Sequence, residues 1–358
     1  MRVLTRPKAR RWGWLGAALL LTVGLGVTAG APAHADAYGQ TILDSIRYSS
    51  NGDWQEWLPP VQPEGTVATY PDVTADSADD SIHVDVITTD GMFDIQRYSN
   101  GTWSTWQKPP QPPYLPSDDP ADGSVYQTYS AGLPNGDLDF YQIWDGEIWS
   151  VTRYADGGWS DWDETGLQVP YGTFSLAVTA VPGSGGTEEE IIAITNEGTL
   201  FHSIIYPDGD VQAWAKPAAV PGGGAEQVAV AGQTNGDMEV MAISARGIIW
   251  HTIRYANGGW SSWAQPAQPP AGWYATANSY GLNAAADYNG NAQFVIWDLN
   301  LTTGYTTVYH DIRYANGSWQ NAWGVVGTPA DETCRGSVAI PTYDPADTNL
   351  HLDALCLF

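Results

Sequence analysis

The chain has 358 residues, with 40 Asp plus Glu against 14 Lys plus Arg and a formal net charge of −26 at pH 7. So acidic a surface repels nucleic acid and anionic membranes and suits neutral or cationic partners. Two cysteines are too few for a disulfide scaffold, so folding must rest on a hydrophobic core.

The first predicted element is a leader. Arg2, Arg6, Lys8, Arg10 and Arg11 precede an apolar run from Trp14 to Val27, which leads to the small-x-small site Ala33-His34-Ala35. This predicts a signal peptide over residues 1–35, a secreted chain from Asp36 onward, and no membrane insertion after cleavage, the run being short for a span. The export route stays open between the general and the twin-arginine pathway. The mature chain carries 9 Lys plus Arg against 40 Asp plus Glu, a net charge of −31.

One phrase then recurs six times: Ile46-Arg47-Tyr48 … Asn51-Gly52 … Trp54 … Trp57, then Gln96-Arg97-Tyr98 … Asn100-Gly101 … Trp103 … Trp106. It returns as Thr152-Arg153-Tyr154 … Asp156-Gly157 … Trp159 … Trp162 and Ile204-Ile205-Tyr206 … Asp208-Gly209 … Trp214. The last copies are Ile253-Arg254-Tyr255 … Asn257-Gly258 … Trp260 … Trp263 and Ile312-Arg313-Tyr314 … Asn316-Gly317 … Trp319 … Trp323. The tyrosines lie 50, 56, 52, 49 and 59 residues apart, a period that signals a radial or stacked array.

Each copy places Asn-Gly or Asp-Gly between two strand-like runs, which reads as a tight hairpin with a primed turn. Two further runs precede it, giving four antiparallel strands, A to D, per unit. The first copy lacks A and B, whereas two spare strands follow the sixth. The predicted fold is therefore all-β: a six-bladed β-propeller over residues 36–358, its seam blade formed by C-terminal strands A and B and N-terminal strands C and D. Closure of this kind leaves no sheet end unpaired.

Three residue columns are expected to be structural. Acids on the B strands, paired about the B–C turns with the C-strand arginines, predict the cross-strand ion pairs Asp85–Arg97, Asp139–Arg153, Glu239–Arg254 and, across the seam, Asp353–Arg47. Ile205 breaks that column in the fourth unit. Tryptophans repeated in every unit read as packing between blades. His202, His251 and His310, in three different units, lack metal-ligand spacing and read as hydrogen-bonded within their sheets. Cys334 and Cys356 flank a hairpin centred on Tyr343–Asp347 and are expected to form a disulfide.

Ligand-binding candidates are aromatic and polar residues that break the repeat on the face made by the B–C turns and D–A loops: Trp144, Asp145 and Trp149; Trp297, Asp298 and Tyr305; Trp273 and Tyr274. Flat rings beside Asp and Asn suit sugars, which stack through C–H faces and hydrogen-bond through hydroxyls. Tyr114 belongs to another such loop. The Asp118-Asp119 … Asp122 loop has oxygen ligands but not EF-hand spacing, so neither metal nor cofactor is predicted. No nucleophile elbow, zinc-protease helix, phosphate loop or sialidase Ser-x-Asp-x-Gly-x-x-Trp box occurs, so no catalytic residues are assigned and the chain is not expected to be an enzyme.

The phrase Ile249-Trp250-His251 … Ile253-Arg254-Tyr255-Ala256-Asn257-Gly258 … Trp260 resembles the repeats of secreted bacterial propeller lectins of the tachylectin, tectonin and Photorhabdus-lectin type. It is also similar to actinobacterial lectin-like subunits of the kind found in umbrella toxin particles. The resemblance covers residues 40–358 and implies non-enzymatic glycan binding at several sites, although the loops differ too much for six equivalent ones. The first alternative is a propeller that docks a protein partner in a secreted complex; a glycoside hydrolase ranks behind both.

Overall fold

The computed structural model describes residues 40–63, 73–78, 81–88, 91–111, 127–183, 186–270, 273, 277–300, 303–327, 333–340 and 348–357. The leader, Tyr114, Tyr274, the Asp118–Asp122 loop and the Tyr343–Asp347 turn lie outside them. Among the described residues the regular structure is entirely β.

After β1 (Gln40–Arg47) come five sheets in chain order. The second sheet is β2 (Val73–Ala78), β3 (Ser81–Thr88) and β4 (Gly91–Arg97); the third is β5 (Tyr129–Gly132), β6 (Leu138–Trp144), β7 (Glu147–Arg153) and β8 (Asp163–Gln168). The fourth is β9 (Thr173–Gly183), β10 (Gly186–Thr195) and β11 (Leu200–Ile205), and the fifth is β12 (Ala225–Gly232), β13 (Met238–Ser244) and β14 (Ile249–Arg254). The sixth is β15 (Ala277–Ala286), β16 (Ala292–Asn300), β17 (Tyr305–Arg313) and β18 (Gly324–Val326). β19 (Thr333–Ala339) and β20 (Leu350–Leu357) then pair with β1 in the order β1-β20-β19, so the first sheet is built from both ends of the described chain. Where no fourth strand forms, isolated bridges such as Asp94–Gln107 and His251–Ala264 hold the Trp-x-x-Trp segment against the third strand.

The Asn-Gly turns differ from expectation. Gly101 and Gly258 have φ near +83°, whereas the preceding Asn residues do not take positive φ. Gly101 N donates to Tyr98 O, Tyr98 N donates to Thr102 O, and Asn100 Oδ1 accepts from Thr102 N. This is a type I turn closed by a glycine bulge, in which only glycine needs the left-handed region. A two-residue primed turn occurs instead at Asp145–Gly146, with φ of 50° and 80° at its two residues.

The A–B and C–D turns share one end of each sheet. Asp137 and Asp237 accept there from Ala155 N and Ala256 N, and Asn349 accepts from Ser49 N across the first sheet. B–C turns and D–A connections share the other end, where Val169 N donates to Gly146 O and Ala225 N to Gly198 O.

The first strands of the sheets neighbour one another in a cycle: β2 with β5, β5 with β9, β9 with β12, β12 with β15, β15 with β19, and β19 with β2. They approach closely. A Cβ on Gly232 would lie 1.9 Å from Ala180 O, and one on Gly336 would lie 2.6 Å from the Trp297 ring. The core lies between sheets, as where Ile42 and Leu355 meet Val84 and Ile95, or Leu43 and Leu352 meet Val295 and Val308.

The repeated tryptophans fill these junctions. The second of each pair donates its indole N–H to a backbone carbonyl of the preceding unit: Trp57 to Gly327, Trp106 to Val61, Trp162 to Pro110, Trp214 to Gln168, Trp263 to Ala218 and Trp323 to Ala267. The Trp57 bond joins the first unit to the sixth. The first of the pair packs on the preceding sheet where Trp54 meets His310, Trp260 meets His202 and Trp319 meets His251 edge-on. A tryptophan buries on the order of 150–250 Å²; set at every junction, it is the fold's mortar. Cys334 and Cys356 lie directly opposite in the β19–β20 ladder, their sulfurs bonded.

The register overturns the four cross-strand ion pairs. Asp85, Asp139, Glu239 and Asp353 lie opposite Asp94, Thr152, Ile253 and Asp44, whereas Arg97, Arg153, Arg254 and Arg47 lie opposite Ile82, Leu138, Met238 and Leu350. Each acid is therefore an odd number of residues from its arginine's partner and on the other sheet face. The assumed turn centres were displaced by half a residue or more, enough to invert the face.

Candidate functional site

The arginines cross to the preceding sheet instead. Arg97 Nε lies 3.7 Å from Asp44 Oδ2, and Arg153 Nε lies 3.8 Å from Asp94 Oδ2. Arg254 binds Glu190 and Arg313 binds Glu239 through short contacts. Each of these carboxylates also meets a histidine of its own sheet: His351 with Asp44, His83 with Asp94, His202 with Glu190 and His251 with Glu239. Acid and histidine exchange strands between the first two sheets and the fourth and fifth, so the column survives although the residue types move. His310 bonds Gln293 at 2.8 Å, and the three histidines expected to bond within their sheets do so.

Two junctions break the rule. At the sixth–first junction Arg47 lies near His310, which is bonded to the neutral Gln293, and among the described residues it makes no ion pair. At the third–fourth junction Ile205 replaces the arginine, and its cross-strand partner Glu189 turns toward Asp139. Burial raises Asp139, with Thr152 donating to it, and raises Glu189 well above the usual carboxylate range, with Asp139 adding to that rise. Tyr141 contacts Glu189 and is itself raised by burial. Two carboxyl groups thus share one buried site without a cation. A concavity of about 760 Å³, lined by Glu188, Tyr206, Asp208, Asp210 and Val211, opens beside the turn after Ile205.

Several expected ligand residues are buried. Trp297 is only 1 % exposed; it donates to Asn283 Oδ1 at 3.0 Å and packs beside Trp57, in the space that Gly336 leaves. Trp273 lies in the core with Leu282, Phe294 and Trp323. Neither offers a ring face to solvent, so these two are corrected to packing residues. Asp298 is also buried, and desolvation pushes it up to about 6. Tyr305 alone of that group is open, 45 % exposed beside the Asn300–Tyr305 turn.

Trp144, Asp145 and Trp149 do come together. The two half-buried rings lie 5.0 Å apart at 57°, beside a primed turn whose Asp145 is exposed. Trp149 sits opposite Glu164 in β8, and Gln168 Nε2 bonds Glu147 Oε1 at 3.1 Å, so amide and carboxylate groups border the rings.

A further group went unread as a site. Tyr48, Tyr98, Tyr154, Tyr255 and Tyr314, used above only to count the repeat, are 38–44 % exposed. They stand at the C–D turn end, opposite the Trp144 turn, each directly after an arginine of the junction column. The signal was available: an aromatic repeated in every unit, outside the alternating core pattern and next to a turn.

No family model matches this chain, and no curated protein matches it by sequence. Solved structures do match. AofleA from Arthrobotrys oligospora is 12 % identical, with 81 % of this chain and 87 % of that chain covered and a TM-score of 0.52. The BP39L lectin from Burkholderia pseudomallei is 14 % identical over 85 % of this chain and 87 % of its own, also at 0.52. A fungal lectin from Aleuria aurantia, described as a six-bladed β-propeller, is 15 % identical over 76 % and 85 %, at 0.48. At such identities the likeness is one of fold alone, and the fold itself is all-β: six small sheets whose first strands neighbour one another in a cycle.

Proposed function

We propose that the chain is a secreted, non-enzymatic, six-bladed propeller lectin, its first sheet the seam blade and its leader removed after Ala35. The observation that carries the reading is the ring of exposed tyrosines, each following a junction arginine. An exposed aromatic face offers stacking to the C–H face of a sugar, and its hydroxyl a directed hydrogen bond. Repetition around the ring supplies avidity from weak individual sites. Trp144, Asp145 and Trp149, with Tyr305, form a second candidate surface at the opposite end. The solved lectins of the same fold support the reading. The raised carboxyls Asp139 and Glu189 pack by Tyr141, Glu189 buried, rather than facing each other across a cleft, which speaks for binding over hydrolysis.

A glycan array with the chain from Asp36 onward, including bacterial envelope polysaccharides, tests this. Binding that free sugar competes away is the expected result. Tyr98→Ala and Tyr255→Ala weaken it if the rim is the site; Trp149→Ala weakens it if the B–C end is. A blank array from folded protein rejects the lectin reading and favours the protein-docking alternative.

A further inference from the structure

Every junction arginine except one faces a carboxylate. Arg97, Arg153, Arg254 and Arg313 each have one from the preceding sheet, so those guanidinium charges are neutralised in place. Arg47 is the exception. The position that holds Glu190 in the fourth sheet and Glu239 in the fifth holds the neutral Gln293 in the sixth, bonded to His310. His310 adds no charge, because burial and then the nearby Arg47 press it down to about 3. Tyr314, its ring 38 % exposed, interacts electrostatically with the guanidinium. Arg47 itself is half-buried and partly desolvated, which lowers its pKa. Its Nη2 lies under the Tyr48–Asp53 turn, where a Cβ on Gly52 would come within 3.1 Å of it.

We infer that the seam junction, around Arg47, Tyr314 and the Tyr48–Asp53 turn, binds the anionic group of an acidic sugar, a uronic-acid carboxylate or a sugar sulfate. The inference rests on the lectin reading and makes this junction its charge-selective site. A guanidinium with no counter-ion among the described residues presents a planar donor fork that matches a carboxylate or sulfate. Tyr314 stands beside it to receive the sugar ring. The overall negative charge of the chain does not oppose a single anionic group, since fields from exposed charges are screened beyond about 8 Å at physiological salt. It does oppose a dense polyanion, so a terminal or isolated acidic residue is the ligand this site fits.

The test titrates the mature chain and Arg47→Gln with methyl glucuronide, methyl glucoside and sodium sulfate, following calorimetry and thermal midpoint. Among the described residues Arg47 has no ion pair to lose, so the variant folds with a midpoint near that of the unaltered chain. Glucuronide is expected to bind roughly tenfold more tightly than glucoside, in the range of one charge-assisted hydrogen bond, at one such site per chain. Added salt weakens the preference, and Arg47→Gln abolishes it. Sulfate raises the midpoint of the unaltered chain more than that of the variant. Equal binding of the two sugars, or a preference that survives Arg47→Gln, overturns the proposal. If no sugar binds but sulfate still separates the two proteins, the anion site stands and the lectin reading fails. If neutral sugars bind and sulfate separates nothing, the lectin reading stands and the seam site fails.

Discussion

The sixth–first and third–fourth junctions use the same strands, the same indole latch and the same residue columns, yet carry opposite defects. The seam has an arginine facing neutral Gln293 and His310; the other has Asp139 and Glu189 facing Ile205. The remaining four junctions pair arginine with carboxylate across the gap. The repeated frame therefore tolerates charge imbalance where half-burial or protonation relieves it. A guanidinium at the sheet margin keeps contact with water, whereas the carboxyl pair lies deeper and burial raises both its pKa values.

The comparison breaks most visibly at a paired junction. Arg254→Gln strands the fully buried Glu190 and should cost about 3–5 kcal/mol, read as a lowered denaturant midpoint; a cost equal to that of Arg47→Gln removes the distinction between paired and unpaired arginines. Cutting the seam's covalent tie comes next. Cys356→Ser opens a bridge across 22 residues, with a loss of about 3 kcal/mol expected from loop closure and the faster hydrogen exchange confined to β19 and β20.

Repairing the third–fourth junction is a smaller effect of opposite sign. Ile205→Arg supplies the missing cation and should stabilise the chain by about 1 kcal/mol at neutral pH. It also flattens a pH dependence. Carboxyls raised in the folded state bind more protons there than when unfolded. Their contribution is thus greatest below the ordinary values of 3.8 and 4.5 and declines as pH rises toward the folded values. His310 runs the other way: lowered from 6.5 to about 3, it contributes fully above 6.5 and loses that contribution as the pH falls. Ile205→Arg should accordingly slow hydrogen exchange in β6 and β10 most at neutral pH and above; an effect that does not change with pH contradicts the assignment. The smallest effect is Arg47→Gln itself, less than about 1 kcal/mol, seen only as lost anion discrimination.

Much of this architecture is written locally. The spacing of Tyr, Asn-Gly and Trp predicts the repeat, the hairpins, the first sheet's assembly from both chain ends and the Cys334–Cys356 bridge. The site was less legible. Trp297 and Trp273 look like loop aromatics beside turns, but Gly336 and the Leu282–Phe294 cluster, distant in sequence, bury them. The tyrosines of the repeat look like landmarks, and only their place next to a turn and outside the alternating pattern sets them apart from packed rings.

By itself the sequence determined the number of units, the order of their strands and the residue types in each column, since period, turn chemistry and alternation are properties of neighbouring residues. The tertiary structure decided which sheet face each side chain occupies and which partner stands across each junction. A half-residue change in a turn centre inverts a face, and the partners arrive from a sheet 53 to 74 residues away.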